Sequence, residues 1–106
     1  MSLRDAQETV DRWIGQFEEG YFPPLANVAR LAEEVGELAR AVNHRFGPKK
    51  KKPGEDDGAI AAELADILFV VICLANSQQI DLDAAFTQML ATVTVRDAGR
   101  WTRKAR

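Results

Sequence analysis

The chain has 106 residues, 46% of them apolar and 28% charged, with 14 lysines and arginines against 16 aspartates and glutamates. That describes one globular domain, residues 1–106, which buries only about 60 to 65% of its unfolded surface, so a core shared with a second copy would help it. The formal charge of −2 excludes a global attraction to nucleic acid or acidic lipid, and the apolar content excludes intrinsic disorder.

Four segments carry helical periodicity and none alternates long enough to make a strand, which predicts an all-α, four-helix bundle-like subunit. In the first, Ala6, Val10, Trp13, Ile14 and Phe17 recur at helical steps, with Ser2 placed to cap and Asp5 as its capping-box partner. Gly20 is expected to end it, and Trp13 and Phe17 read most simply as core residues. Pro23 and Pro24 open the second helix, whose stripe of Leu25, Val28, Leu31, Val35, Leu38, Val42 and Phe46 runs to Gly47 and Pro48.

Residues 48–57, with Lys49 to Lys52 at their centre, hold no apolar side chain and read as a flexible lysine-rich loop. The third helix is expected from about Ala59 to Ser77, capped by Asp56 or Asp57. The fourth follows Asp81 as N-cap and is expected to bury Leu82, Ala85, Phe86, Met89, Leu90 and Val93, ahead of a basic tail over 99–106. Cys73, the single cysteine, has no disulfide partner and reads as a buried small hydrophobe. With no secretory leader at the N-terminus and no apolar run near the ~20 residues that span a bilayer, a cytoplasmic protein is expected.

From Leu64 to Ala75, 11 of 12 residues are apolar, enough to cover every face of a helix. Such a helix must be wrapped on all sides, which points to a dimer or tetramer. The exception is Asp66, a carboxylate that in apolar surroundings costs several kcal/mol unless it is paired or bound to a cation. Glu63 stands one turn earlier, about 60° round the helix and ~4.5 Å along it, close enough to share that cation.

The second helix repeats the device with Glu34 and Glu37, preceded by Glu33. Glu34 lies at the edge of the apolar stripe, roughly 80° from its centre, whereas Glu33 and Glu37 point further out, so Glu34 is the better inward ligand. If the two helices pack antiparallel, four carboxylates converge, and an all-oxygen set suits Mg²⁺, with Mn²⁺ as substitute. The plain alternative is that these acids are solvated or paired with Arg30, Arg40 or Arg45.

Glu34-Val35-Gly36-Glu37, followed after 25 residues by Glu63-Leu64-Ala65-Asp66, resembles the E-x-x-E and E-x-x-D signature of MazG-like nucleotide pyrophosphohydrolases. The likeness runs from Trp13 to Trp101, through Gly20-Tyr21-Phe22, Ala41-Val42-Asn43-His44-Arg45 and Leu74-Ala75-Asn76, and is that of a short stand-alone member of the YpjD type. It implies Mg²⁺-dependent hydrolysis of a nucleoside triphosphate between the α and β phosphates, giving a monophosphate and pyrophosphate, in nucleotide-pool house-cleaning. It also implies that Glu34, Glu37, Glu63 and Asp66 ligate metal, with Glu33 an outer-shell residue or general base. Where this chain has Arg96 to Trp101, many relatives carry lysine and asparagine.

Phosphate contacts are expected from Arg96 and Arg100, a contact to phosphate or base from Asn76, and base stacking from Phe22 and Trp13. The lysine run reads first as a solvated connector. His44 reads as a helix-end residue, since one histidine cannot build a His-rich metal site. Arg96, Arg100, Arg103, Lys104 and Arg106 around Trp101 lack any accompanying nucleic-acid motif, so RNA is not an expected partner. A di-iron carboxylate bundle is excluded by the lack of Glu-x-x-His pairs. A non-catalytic, metal-binding helical interaction module is the alternative of a different class.

Overall fold

The computed structural model describes residues 1–48 and 60–105; the lysine run, the expected caps Asp56 and Asp57, and Arg106 lie outside them. Four helices follow in order, α1 (Leu3–Ile14), α2 (Pro24–Phe46), α3 (Ile60–Ser77) and α4 (Leu82–Arg96), with no strand among the described residues. The all-helical expectation holds, and most helix ends stand where local chemistry puts them. Ser2 accepts from the Asp5 backbone N–H while the Asp5 carboxylate takes the Ser2 N–H, completing the capping box. Pro24 occupies the first helical position of α2 and Gly47 ends it. Asp81 accepts from the N–H groups of Asp83 and Ala84 at the start of α4.

One end differs. α1 stops at Ile14 with Gly15 as its cap, not at Gly20. Gln16 and Phe17 donate their N–H groups back to Trp13 and Ile14, so the chain leaves α1 in tight turns. Gly20 instead takes φ 63 in the connection, a left-handed conformation that a side chain would strain. The helical spacing of Phe17 comes from these turns, which bring its ring edge-on to Trp13 at 5.1 Å.

α2 and α3 form the main packing pair, α1 lies across α3, and α4 packs beside α1. The core is small: Ala41 of α2 with Val70, Ile72, Cys73 and Ala75 of α3. Burial of Cys73 agrees with the reading of its sequence. Trp13 is 53% exposed and Phe17 half-exposed, so neither is the core residue their spacing implies. None of the α4 side chains is buried, Phe86, Met89 and Leu90 included, because α4 packs sparsely, mainly against α1.

α3 shows the same shortfall at its N-terminal half. Leu64 and Leu68 are about half exposed and Asp66 is exposed, so a single chain does not give Asp66 the apolar enclosure expected of it. By length and composition α3 is also a candidate membrane span. Glu63 and Asp66 in its first two turns leave only Ile67–Ser77 free of charge, well short of the ~20 residues a bilayer requires.

The end of α3 is closed by the Ile80 N–H donating to the Ala75 carbonyl at 2.8 Å, with Gln79 at φ 58. This turn presents the Ile80 carbonyl to Gln7 of α1. Gln7 Nε2 donates to that carbonyl and to Asn76 Oδ1, while its Oε1 accepts from the Leu82 N–H. One nearly buried amide thus ties α1 to the end of α3 and the start of α4.

Candidate active site

Two features follow one another along the seam between α2 and α3. The first is acidic. Glu34 and Glu63, half-buried, and Asp66, exposed, each bring a carboxylate oxygen within 4.8 Å of the others. On α3 the pair is fixed by the i, i+3 spacing; on α2 Glu34 is the half-buried acid while Glu33 and Glu37 are exposed, in line with its place at the edge of the stripe. Partial desolvation raises the Glu63 carboxyl above its ordinary range, and the negative charges of Asp66, Glu37 and Glu34 push it the same way. Glu37 therefore belongs to the same field, although its carboxylate lies outside the tight trio.

No ion pair neutralises the trio among the described residues. Of the arginines weighed as partners, Arg30 lies over the rings of Phe22 and Phe69 at 5.9 Å from each, and Arg45 over Phe46. Like charges held this close are at high energy alone and low energy around a divalent ion. Oxygen donors without nitrogen or sulfur select a hard ion of the Mg²⁺ or Mn²⁺ kind, so the residues present fit that ion.

The second feature is a cavity of about 240 Å³ lined by Trp13, Ile14, Gly20, Tyr21, Phe22, Asn27, Arg30, Phe69 and Cys73. It is smaller than the roughly 300 to 1,000 Å³ typical of sites for whole drug-sized ligands, so it suits one flat ring system. Aromatic walls come from three elements: Trp13 from α1, Phe22 from the connection and Phe69 from α3, with Trp13 and Phe69 edge-on at 6.4 Å. Phe22 and Trp13, the two expected stacking residues, both line it. Arg30 is close enough to Cys73 to pull its thiol pKa down against the larger upward effect of burial.

The register explains why the two features are neighbours. On α2, Asn27, Arg30 and Glu34 follow at three- and four-residue steps on one face; on α3, Cys73, Phe69, Asp66 and Glu63 do the same in reverse. The pairing of cavity residues with cavity residues and acids with acids means that α2 and α3 run antiparallel. Cavity and acids are thereby offset along α2 by about 10 Å, the rise from Asn27 to Glu34.

The remaining expected contacts are placed elsewhere. Asn76 spends both amide hydrogens inside the fold, donating to the Gln7 carbonyl and to the Tyr21 hydroxyl, each at 2.9 Å. It is a latch between α1, α3 and the connection, and not the free donor to phosphate or base that its sequence position suggests. Arg96 and Arg100 both turn onto Asp97, at 3.1 and 3.7 Å, and Arg100 covers the Trp101 ring. His44 stands in the last turn of α2.

Sequence reasoning missed Asn27, Arg30, Tyr21 and Phe69 as cavity residues. Asn27 is 2% exposed and its Nδ2 has no hydrogen-bond partner among the described residues. The available signal was its position four residues before Leu31 and seven before Glu34, on the inward face of α2.

The chain matches the model of the MazG nucleotide pyrophosphohydrolase domain over residues 22–101. It is 55% identical to YpjD of Bacillus subtilis (strain 168) over 103 residues, which is 97% of this chain and 93% of that protein. Among solved structures, it superposes on Bacillus subtilis YpjD with a TM-score of 0.78 at 54% identity, covering 87% of this chain and 94% of that one. A Bacillus-conserved MazG protein, described as a nucleotide pyrophosphohydrolase, gives a TM-score of 0.74 at 49% identity, covering 87% and 88% of the two chains.

Proposed function

The chain belongs to the MazG nucleotide pyrophosphohydrolase family, and from that premise we propose that it hydrolyses a nucleoside or deoxynucleoside triphosphate between the α and β phosphates. The products are the monophosphate and pyrophosphate, and the reaction needs Mg²⁺. The observation that carries this reading is the trio of Glu34, Glu63 and Asp66, without an ion pair among the described residues and about one nucleotide's reach from an aromatic cavity of the size of one base.

Trp13, Phe22 and Phe69 hold the base in the cavity, which sets the triphosphate along the α2–α3 seam toward the acids. Glu34, Glu63 and Asp66, with Glu37 beside them, would hold the ion. When bound, Mg²⁺ supplies neutralisation of phosphate charge and a water of lowered pKa. Glu33, exposed and next to Glu34, takes the proton of the attacking water, as a carboxylate outside the ligand trio is free to do. Without a cation, the four acids repel the triphosphate, so the apoprotein is inert.

The half-exposed apolar side chains of α3 and α4, Leu64, Leu68, Phe86, Met89 and Leu90, are covered by further copies of the chain in a dimer or tetramer. That assembly encloses Asp66 and raises the cation affinity of the trio. Removal of unwanted nucleotides from the pool is the role such a reaction serves.

The test is a panel of ribo- and deoxyribonucleoside triphosphates incubated with the purified protein and Mg²⁺. Pyrophosphate release from at least one member, abolished by chelation, is expected. Orthophosphate as the product, or an inert panel, contradicts the reading and leaves a metal-binding interaction module.

A further inference from the structure

Arg30 is the one charged side chain among the described residues that line the base cavity. It is half-buried, and its guanidinium stands 5.9 Å from the ring centroids of both Phe22 and Phe69. Attraction to the two ring faces holds the group there but supplies no anion, and among the described residues Arg30 makes no hydrogen bond and no ion pair. A guanidinium carries N–H donors and no acceptor, so the complement it lacks is an anion with several oxygens.

Its place along the helices says which anion. On α2 Arg30 falls between Asn27 and Glu34, about 6 Å of rise short of Glu34; on α3 Phe69, the ring it covers, falls between Cys73 and Asp66. Arg30 and Phe69 are therefore the cavity residues that stand nearest to the acids along their helices. A nucleotide with its ring in the cavity and its outer phosphates at the acids carries its first phosphate across this boundary. The arginines expected to meet phosphate, Arg96 and Arg100, are turned onto Asp97 and leave that task open.

We propose that Arg30 grips the α-phosphate of the bound nucleotide, two N–H groups of its planar fork donating to two non-bridging oxygens. The base is held by the rings, the first phosphate by Arg30, and the acids are left to the bond beyond it. After cleavage the monophosphate keeps the ring contacts and the guanidinium together, so it competes with the triphosphate for the free site.

The inference deepens the pyrophosphohydrolase reading and rests on it for its ligand, yet binding of the product alone tests it. Calorimetric titration of the full chain with Mg²⁺ compares each common ribo- and deoxyribonucleoside with its 5′-monophosphate, which is not turned over. For the best-bound base the monophosphate is expected to bind at least about tenfold tighter than the nucleoside, the factor that corresponds to a charge-assisted pair. Arg30→Gln should bring that ratio toward one while changing nucleoside binding little, a split that loss of ring packing alone does not produce. Arg30→Lys keeps the charge without the fork and should give an intermediate ratio; it decides the matter if Arg30→Gln does not fold. Inhibition of turnover by the monophosphate should weaken in the same order. The inference is overturned by a wild-type chain that prefers no monophosphate to its nucleoside, by a ratio that these substitutions leave intact, or by equal weakening of nucleoside and monophosphate. Pyrophosphate release by a chain with such a result leaves the catalytic reading standing. An Arg30-dependent ratio with no turnover of any triphosphate retains the inference and sinks the catalytic reading instead.

Discussion

Gln7 and Asn76 hold each other through a reciprocal pair of bonds: Gln7 Nε2 donates to Asn76 Oδ1, and Asn76 Nδ2 donates to the Gln7 carbonyl, both at 2.9 Å. The second amide hydrogen of Asn76 reaches Tyr21, whose hydroxyl donates to Asp11. This chain of contacts fixes the connection that carries Phe22 into the cavity, so a structural network lies directly behind the proposed base site. Asn76→Ala breaks three hydrogen bonds and takes one of the two acceptors from the Gln7 amide nitrogen, and should cost roughly 3 kcal/mol in denaturant unfolding. A loss below about 1 kcal/mol would mean that the network does not hold α1 on α3.

Tyr21 offers a clean spectroscopic check because it is the only tyrosine in the chain. Burial, then the hydrogen bond and charge of Asp11, push its phenol up to about 12, against a smaller downward pull from Asn76. A raised folded pKa favours the neutral form. The stabilisation it gives is therefore complete below the unfolded value near 10 and fades as pH climbs toward 12. Absorbance at the phenolate band should show no ionisation until well above pH 10, and Asp11→Asn should lower the midpoint without restoring the free value. A wild-type midpoint at the ordinary tyrosine value would contradict the contact.

At acidic pH the Arg4–Asp81 pair is the element to watch. The hydrogen bond from Arg4, with further bonds from the Ala84 and Asp83 N–H groups, holds the Asp81 carboxyl below the usual aspartate range. Its contribution is present above the unfolded pKa and lost as pH falls through the depressed folded value. Carbon-detected titration of Asp81 should give a midpoint below 3.8, moving upward in Arg4→Ala.

Four helix boundaries were legible because their signals are local: Ser2 with Asp5, Pro24, Gly47 and Asp81 each satisfy or silence backbone groups within one turn, whereas the end of α1 falls at Gly15 and not at Gly20. Glu34 as the inward acid was legible for the same reason, from its angle to the stripe. The environment of Asp66 was not. The run from Leu64 to Ala75 reveals how much apolar surface needs covering, but not that one chain covers only the half around Val70, Ile72, Cys73 and Ala75. Asn27 and Arg30 were invisible as cavity residues because polar side chains on a helix read as solvated unless the facing ring, Phe69, is already in place.

The uncovered faces give a prediction about assembly. Leu68→Glu on α3 or Phe86→Asp on α4 places a charge where a second copy is proposed to pack, at the cost of desolvating it. Sedimentation equilibrium should show the wild-type chain as a dimer or tetramer and these variants as smaller species with weaker Mg²⁺ binding. A monodisperse wild-type monomer would remove the shared core from the account.

Glu63→Gln separates charge from shape. It relieves the repulsion that raises the Glu63 carboxyl, so the melting temperature of the apoprotein should not fall, whereas turnover should drop by about a hundredfold or more. Retained turnover would take Glu63 out of the site.

The most direct measurement is an anomalous difference map from crystals soaked in Mn²⁺. A peak bonded to carboxylate oxygens of Glu34, Glu63 and Asp66, at the roughly 2.1 Å usual for a hard divalent ion, is the expected result. A map with no peak among these three side chains, from crystals in which they are ordered, would contradict it.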